Sequence, residues 1–214
     1  MHAPMTAITD AGDLMVTSPL ALALLLLLWR AGAVPQARRL ALAWAACFGV
    51  LGVLKLVFTT CGEHWQAGLH SPSGHAGLST LVYGSYALVL AALPGWRRPL
   101  PLGLAGGALI AAIGISRMVL HEHTPVEVLV GLLVGFNCLL LVASLPLTPV
   151  QATRVPVAAL LALLVLVPAV LQGSRSQAED LVVGSARELH FRLGVCQGPP
   201  PAPAHLSATA LPAP

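Results

Sequence analysis

The chain has 214 residues, of which 57% are hydrophobic and 9% carry a charged side chain, with a net charge of +3 and a mean hydropathy of +0.83. A water-soluble domain of this size has about a quarter of its residues charged, so the composition excludes an ordinary soluble enzyme. No basic run offers a footprint for nucleic acid.

The first apolar segment is Leu14–Trp29. The stretch before it, Met1 to Asp13, has no Lys or Arg and carries Asp10 and Asp13. A secretory signal has a positive front, so this segment reads as a retained helix. Five more segments follow: Leu40–Thr60, Ala76–Leu93, Leu100–Leu120, Val126–Leu145 and Val155–Leu171. Each approaches the roughly 20 residues that a helix needs to cross a bilayer. Lipid cannot hydrogen-bond an open backbone, so spans of this kind are helices. The expected fold class is therefore all-α, an integral membrane bundle of six transmembrane helices over residues 1–171. Residues 172–197 read as a tail outside the membrane, with a short interfacial helix at Ala178–Leu193. Residues 198–214 are Pro/Ala-rich and read as disordered.

Lys and Arg favour the cytoplasmic loops. Arg30, Arg38 and Arg39 sit in the first loop, Arg97 and Arg98 in the third and Arg154 in the fifth, whereas the N-terminal stretch and the second loop have none. Both termini, the second loop and the fourth turn are thus expected outside. The abundance of Ala, Pro and Arg hints at a GC-rich bacterial genome; the expected location is a bacterial inner membrane.

Ionisable residues inside spans are costly and point to function. Lys55 lies about five residues, or roughly 7.5 Å, below the outer end of the second span, and Arg117 lies at a similar depth in the fourth. Either alone reads equally well as a side chain snorkelling to the interface. Their neighbours favour a site. The second outer loop ends in Ser71-Pro72-Ser73-Gly74-His75, at the start of the third span; a helix N-terminus of this kind suits an anion. The fourth turn brings His121, Glu122 and His123, with Glu127 four residues beyond His123 on one helix face. Glu127 can then orient the His123 imidazole. Two cations and a ring of backbone N–H groups would neutralise a phosphoryl group. One imidazole would attack phosphorus and the other would protonate the leaving oxygen.

Pro-Ser-Gly-His at 72–75, followed by Ser-Arg at 116–117, His123 and an acid at 127, resembles the type-2 phosphatidic acid phosphatase superfamily. The family's membrane members are lipid phosphate phosphatases, and its soluble members include bacterial acid phosphatases. The resemblance implies that His123 is the nucleophile forming a phosphohistidine, Glu127 its orienting partner and His75 the general acid. It further implies that Ser73, Gly74 and Arg117 hold phosphate oxygens, and that Lys55 is the lysine of the family's first motif. No metal or other cofactor is implied. Two positions depart from the pattern: Gly62 and Glu63 stand where the first motif has an Arg-Pro pair, and Glu127 stands where the family has Asp.

A metal site built on His121, His123 and Glu127, with His64 and His70 facing them, lacks the spacing of a zinc protease helix. His64, His70 and Glu63 read as solvated loop residues. Gly106, Gly107, Gly114, Gly131 and Gly135 suit close helix packing, and Cys47 and Cys138 suit the core. Cys61 and Cys196 fall on the same expected side, where an oxidising compartment would permit a disulfide. The expected function is hydrolysis of a lipid phosphate or pyrophosphate, such as undecaprenyl pyrophosphate or phosphatidic acid, at the outer face. The alternative is a weakly catalytic lipid-binding or lipid-transport protein, favoured by the missing Arg-Pro pair. Membrane lipids are the expected surroundings, and the oligomeric state is left open.

Overall fold

The computed structural model describes residues 2–65, 71–93, 99–174, 184, 185 and 188. Its elements are all helical: α1 (His2–Asp10), α2 (Leu14–Arg30), α3 (Val34–Trp65), α4 (Gly74–Ala91), α5 (Pro99–Val119), α6 (Pro125–Ala143), α7 (Pro149–Arg154) and α8 (Val157–Val170). Six of them coincide with the predicted segments. The others, α1 and α7, are short and too polar to register as spans. Helix α3 begins well before Leu40 and carries Arg38 and Arg39 in its first turns.

Among the described residues, three helices are long and apolar enough to cross a membrane, over Val34–Thr59, Leu100–Val119 and Pro125–Ala143. Helices α1 and α2, bent by 42° at the break between them, qualify as a fourth span when taken together. Helix α8 is apolar but shorter. This all-α architecture with three or four candidate spans is the coarser form of the six-span expectation.

Helix α4 falls outside that set because of what it does in the bundle. It is packed by α2, α3, α5 and α6, and nearly its whole length from Ala76 to Tyr86 is buried. A helix enclosed by others can carry hydroxyls if they are satisfied internally. The Thr80 hydroxyl donates to the Ala76 carbonyl at 2.7 Å, the Ser85 hydroxyl to Leu81 at 2.6 Å, and the Ser79 hydroxyl to His75. Tyr86 crosses to α2, donating to the Leu20 carbonyl at 3.0 Å. The principal core cluster runs from Val16, Leu20 and Leu24 on α2 to Val82 and Tyr86 on α4, Ile113 on α5 and Leu160 on α8.

The α4–α6 interface is closest at glycines. A Cβ at Gly131 would strike the Ser73 carbonyl oxygen, and one at Gly135 would strike the Gly77 carbonyl oxygen. These glycines therefore serve packing within the bundle, as expected, and they fix the start of α4 against α6. By contrast, Leu129, Leu133, Phe136 and Leu140 face outward along the opposite side of α6. Cys47 is buried and Cys138 half-buried, both free thiols. The Cys61 side chain, Cys196 and nearly all of the predicted tail helix lie outside the described residues, as do the side chains of Glu63, His64, His70, Arg97 and Arg98.

Candidate active site

The start of α4 is shaped by Ser73. Its backbone is extended, and its fully buried hydroxyl accepts the Ala76 N–H at 3.4 Å, capping the helix. As an acceptor in that bond, the hydroxyl still has its own proton to donate. The Ser73 N–H donates to the Glu127 carbonyl at 3.0 Å, so the loop is sewn to the first turn of α6. Lys55 is half-buried on α3. A Cβ at Gly74 would stand 3.9 Å from Lys55 Cε, which places the lysine stem over the N-terminus of α4.

Helix α5 ends in a left-handed reversal. His121 has φ 58°, its N–H donates to the Met118 carbonyl at 3.1 Å, and the Glu122 N–H donates to the Arg117 carbonyl at 3.0 Å. These two bonds form a Schellman motif, with histidine at the position glycine usually takes. The His123 N–H also donates to the Arg117 carbonyl, at 3.3 Å. The reversal delivers Thr124 and Pro125 to the start of α6, where Thr124 and Glu127 form a capping box.

Glu127 is the hub. Its Oε1 accepts the Ser71 N–H at 2.8 Å, and its Oε2 accepts the Thr124 N–H at 2.9 Å and lies 3.1 Å from His123 Nδ1. The residue is 4% exposed, and these donors satisfy a carboxylate that would be costly to bury otherwise. A carboxylate only accepts, so Nδ1 carries the proton, and in a neutral ring Nε2 would keep its lone pair. Arg117, also buried, sends Nη1 to Thr9 Oγ1 at 3.4 Å and Nη2 to within 3.8 Å of Glu122 Oε2. A cleft of about 580 Å³ opens over Ser71, His123 and Glu127, walled by Met118, His121 and Glu122.

The predicted residues thus gather through backbone and side-chain links: Ser73 to Glu127, Glu127 to His123, His123 to Arg117, and Gly74 beside Lys55. Among the described residues, no group of three His, Cys, Asp or Glu side chains could hold a metal ion. The sequence reading missed the part played by the N-terminal segment. His75 faces it: Asp13 Oδ2 lies 3.6 Å from His75 Nε2. Asp13 entered that reading only as an acid unsuited to a signal peptide, although an isolated acid just before an apolar run was itself a cue.

Residues 54–150 match the model of the PAP2 superfamily, the type-2 phosphatidic acid phosphatases. That segment resembles a PAP2 core: it holds Lys55, both motif loops and Glu127, and the match supports a phosphatase-type hydrolase. A relative from Klebsiella pneumoniae, described as an uncharacterized 22.5 kDa protein in the cps region, is 30% identical over 129 residues. The alignment covers 58% of this chain and 60% of that protein, so the chain spans less than two thirds of the relative's length. No solved structure matches the chain.

Proposed function

We propose that this protein is a multi-pass membrane phosphatase that hydrolyses a phosphomonoester or pyrophosphate on a lipid. The observation that carries the reading is the buried His123–Glu127 pair, 3.1 Å apart, joined by backbone to the buried Arg117. His123 Nε2 attacks phosphorus while Glu127 holds Nδ1–H and stabilises the positive charge that develops on the ring. Arg117, Lys55, the Ser73 hydroxyl and the N–H groups at the start of α4 take up the charge of the phosphoryl oxygens. His75 protonates the leaving oxygen. Water then hydrolyses the phosphohistidine, with no metal in the cycle.

Six spans with both termini outside would put the cleft at the outer boundary of a bacterial inner membrane. There a headgroup can enter while its chains stay in lipid. Undecaprenyl pyrophosphate and phosphatidic acid both suit such a mouth.

The test is phosphate release in detergent from a panel of lipid phosphates, with wild type beside His123→Ala and with and without a chelator. The expected result is release that His123→Ala abolishes and the chelator leaves intact. Release surviving His123→Ala, or lost on chelation, would refute the mechanism. Absence of release from every lipid, with binding retained, would instead favour a lipid-binding protein, consistent with Gly62 and Glu63 in place of Arg-Pro.

A further inference from the structure

We propose that Asp13 is the positioning residue for His75, and that residues 9–13 form a strap completing the active site from outside the PAP2 core. The inference rests on the phosphatase reading above. Asp13 is 4% exposed. Its Oδ1 accepts the Met15 N–H at 2.8 Å, capping α2, while its Oδ2 lies 3.6 Å from His75 Nε2. A cap needs one oxygen, and Ser or Asn provides it as well as Asp does. The buried charge and its second oxygen have their use in the imidazole.

The rest of the strap is fixed residue by residue. Thr9 receives Arg117 Nη1 at 3.4 Å, Asp10 Oδ2 receives the Gly173 N–H at 3.0 Å, and the Ala11 carbonyl receives the Tyr83 hydroxyl at 2.7 Å. At Gly12 a Cβ would stand 2.7 Å from an Ile113 methyl and 3.3 Å from His75 Cβ. Only a residue without a side chain lets this turn lie against His75. The strap therefore touches both the phosphate-binding arginine and the general acid.

The proton balance is as follows. Protonated His75 keeps its Nε2 proton facing Asp13 and gives its Nδ1 proton to the bridging oxygen. As that happens, the P–O bond breaks with its electron pair leaving on the oxygen, and the His123 Nε2–P bond forms. In the second half, neutral Nδ1 takes a proton from the attacking water as the N–P bond breaks, and the electron pair of that bond returns to His123. The Asp13 carboxylate faces the imidazolium in both halves and favours it.

The discriminating measurement is leaving-group dependence. Phosphatidic acid releases a poorly acidic alcohol that needs the proton; p-nitrophenyl phosphate releases a stable anion that does not. Asp13→Asn and Asp13→Ser both keep the α2 cap and remove the charge. In each, the ratio of phosphatidic acid to p-nitrophenyl phosphate turnover is expected to fall about tenfold or more from wild type, within the range of general-acid contributions. Equal losses on both substrates, which a purely structural strap would give, overturn the proposal, as does an unchanged ratio. Active wild type, dead His123→Ala and an unchanged ratio overturn the role of Asp13 alone. Wild type releasing phosphate from neither substrate, nor from any other lipid phosphate or pyrophosphate of the panel above, overturns this role together with the phosphatase reading.

Discussion

Arg117 and His123 are joined through the backbone: the Arg117 carbonyl accepts the His123 N–H at 3.3 Å. The link exists because α5 ends in a left-handed residue, His121 at φ 58°. That conformation costs an L-residue about 1–2 kcal/mol, more than glycine's extra freedom in the unfolded chain, about 0.5–1 kcal/mol. His121→Gly should therefore raise the thermal midpoint by a few degrees, and His121→Val, β-branched at positive φ, should lower it. Thermal unfolding in detergent checks the order Gly, His, Val; a midpoint for Val at or above wild type would refute it.

Glu127→Gln preserves shape and one acceptor oxygen but removes the charge that faces His123 Nδ1 at 3.1 Å. Partners that orient a reacting histidine are worth about 10- to 100-fold by analogy with outer-shell partners of metal-bound histidines. Turnover should fall by about that factor with KM little changed, as steady-state kinetics would show.

Glu122 holds a half-exposed carboxylate 3.8 Å from Arg117 Nη2, where it would compete with the anionic substrate proposed above. Exposed pairs of this kind contribute about 0.2–1 kcal/mol. Glu122→Gln should thus lower KM about one-and-a-half- to fivefold and leave turnover nearly unchanged. A higher KM would mean that Glu122 holds Arg117 in place instead.

Gly131→Ala would drive a methyl into the Ser73 carbonyl oxygen. The obstacle is backbone, which cannot swing aside, so overpacking of about 1–3 kcal/mol is expected. The Ser73–Glu127 backbone bond should break with it. Both thermal midpoint and phosphate release should drop, whereas Gly107→Ala, whose added Cβ would meet open space, should change neither.

Much of this was legible in the chain because it is local. His123 stands just before α6 and not on its face, and the four-residue spacing still pairs it with Glu127 because that carboxylate folds back over the N-cap; Thr124-Pro125 with Glu127 announces where the helix begins. Thr148-Pro149 with Gln151 announces α7 in the same way, through a second capping box, but six residues are too few to register as a span. Helix α3 outruns its apolar stretch because a helix emerging from lipid need not stop where hydrophobicity does. Helix α4 read simply as a span, and nothing in its pattern marks it as the enclosed centre. The Asp13–His75 and Thr9–Arg117 contacts were invisible for a different reason. Each joins residues far apart in sequence, and neither Thr9 nor Asp13 belongs to a periodic pattern.

Glu127, Gly131 and Gly135 recur every fourth residue along α6, so the acid that faces His123 and the two positions where a Cβ would strike backbone lie on a single stripe. Selection cannot tune one without the other. If every residue of α6 were varied in turn, tolerance would rise and fall once per helical turn, with its minimum on that stripe and its maximum among Leu129, Leu133, Phe136 and Leu140, which face outward.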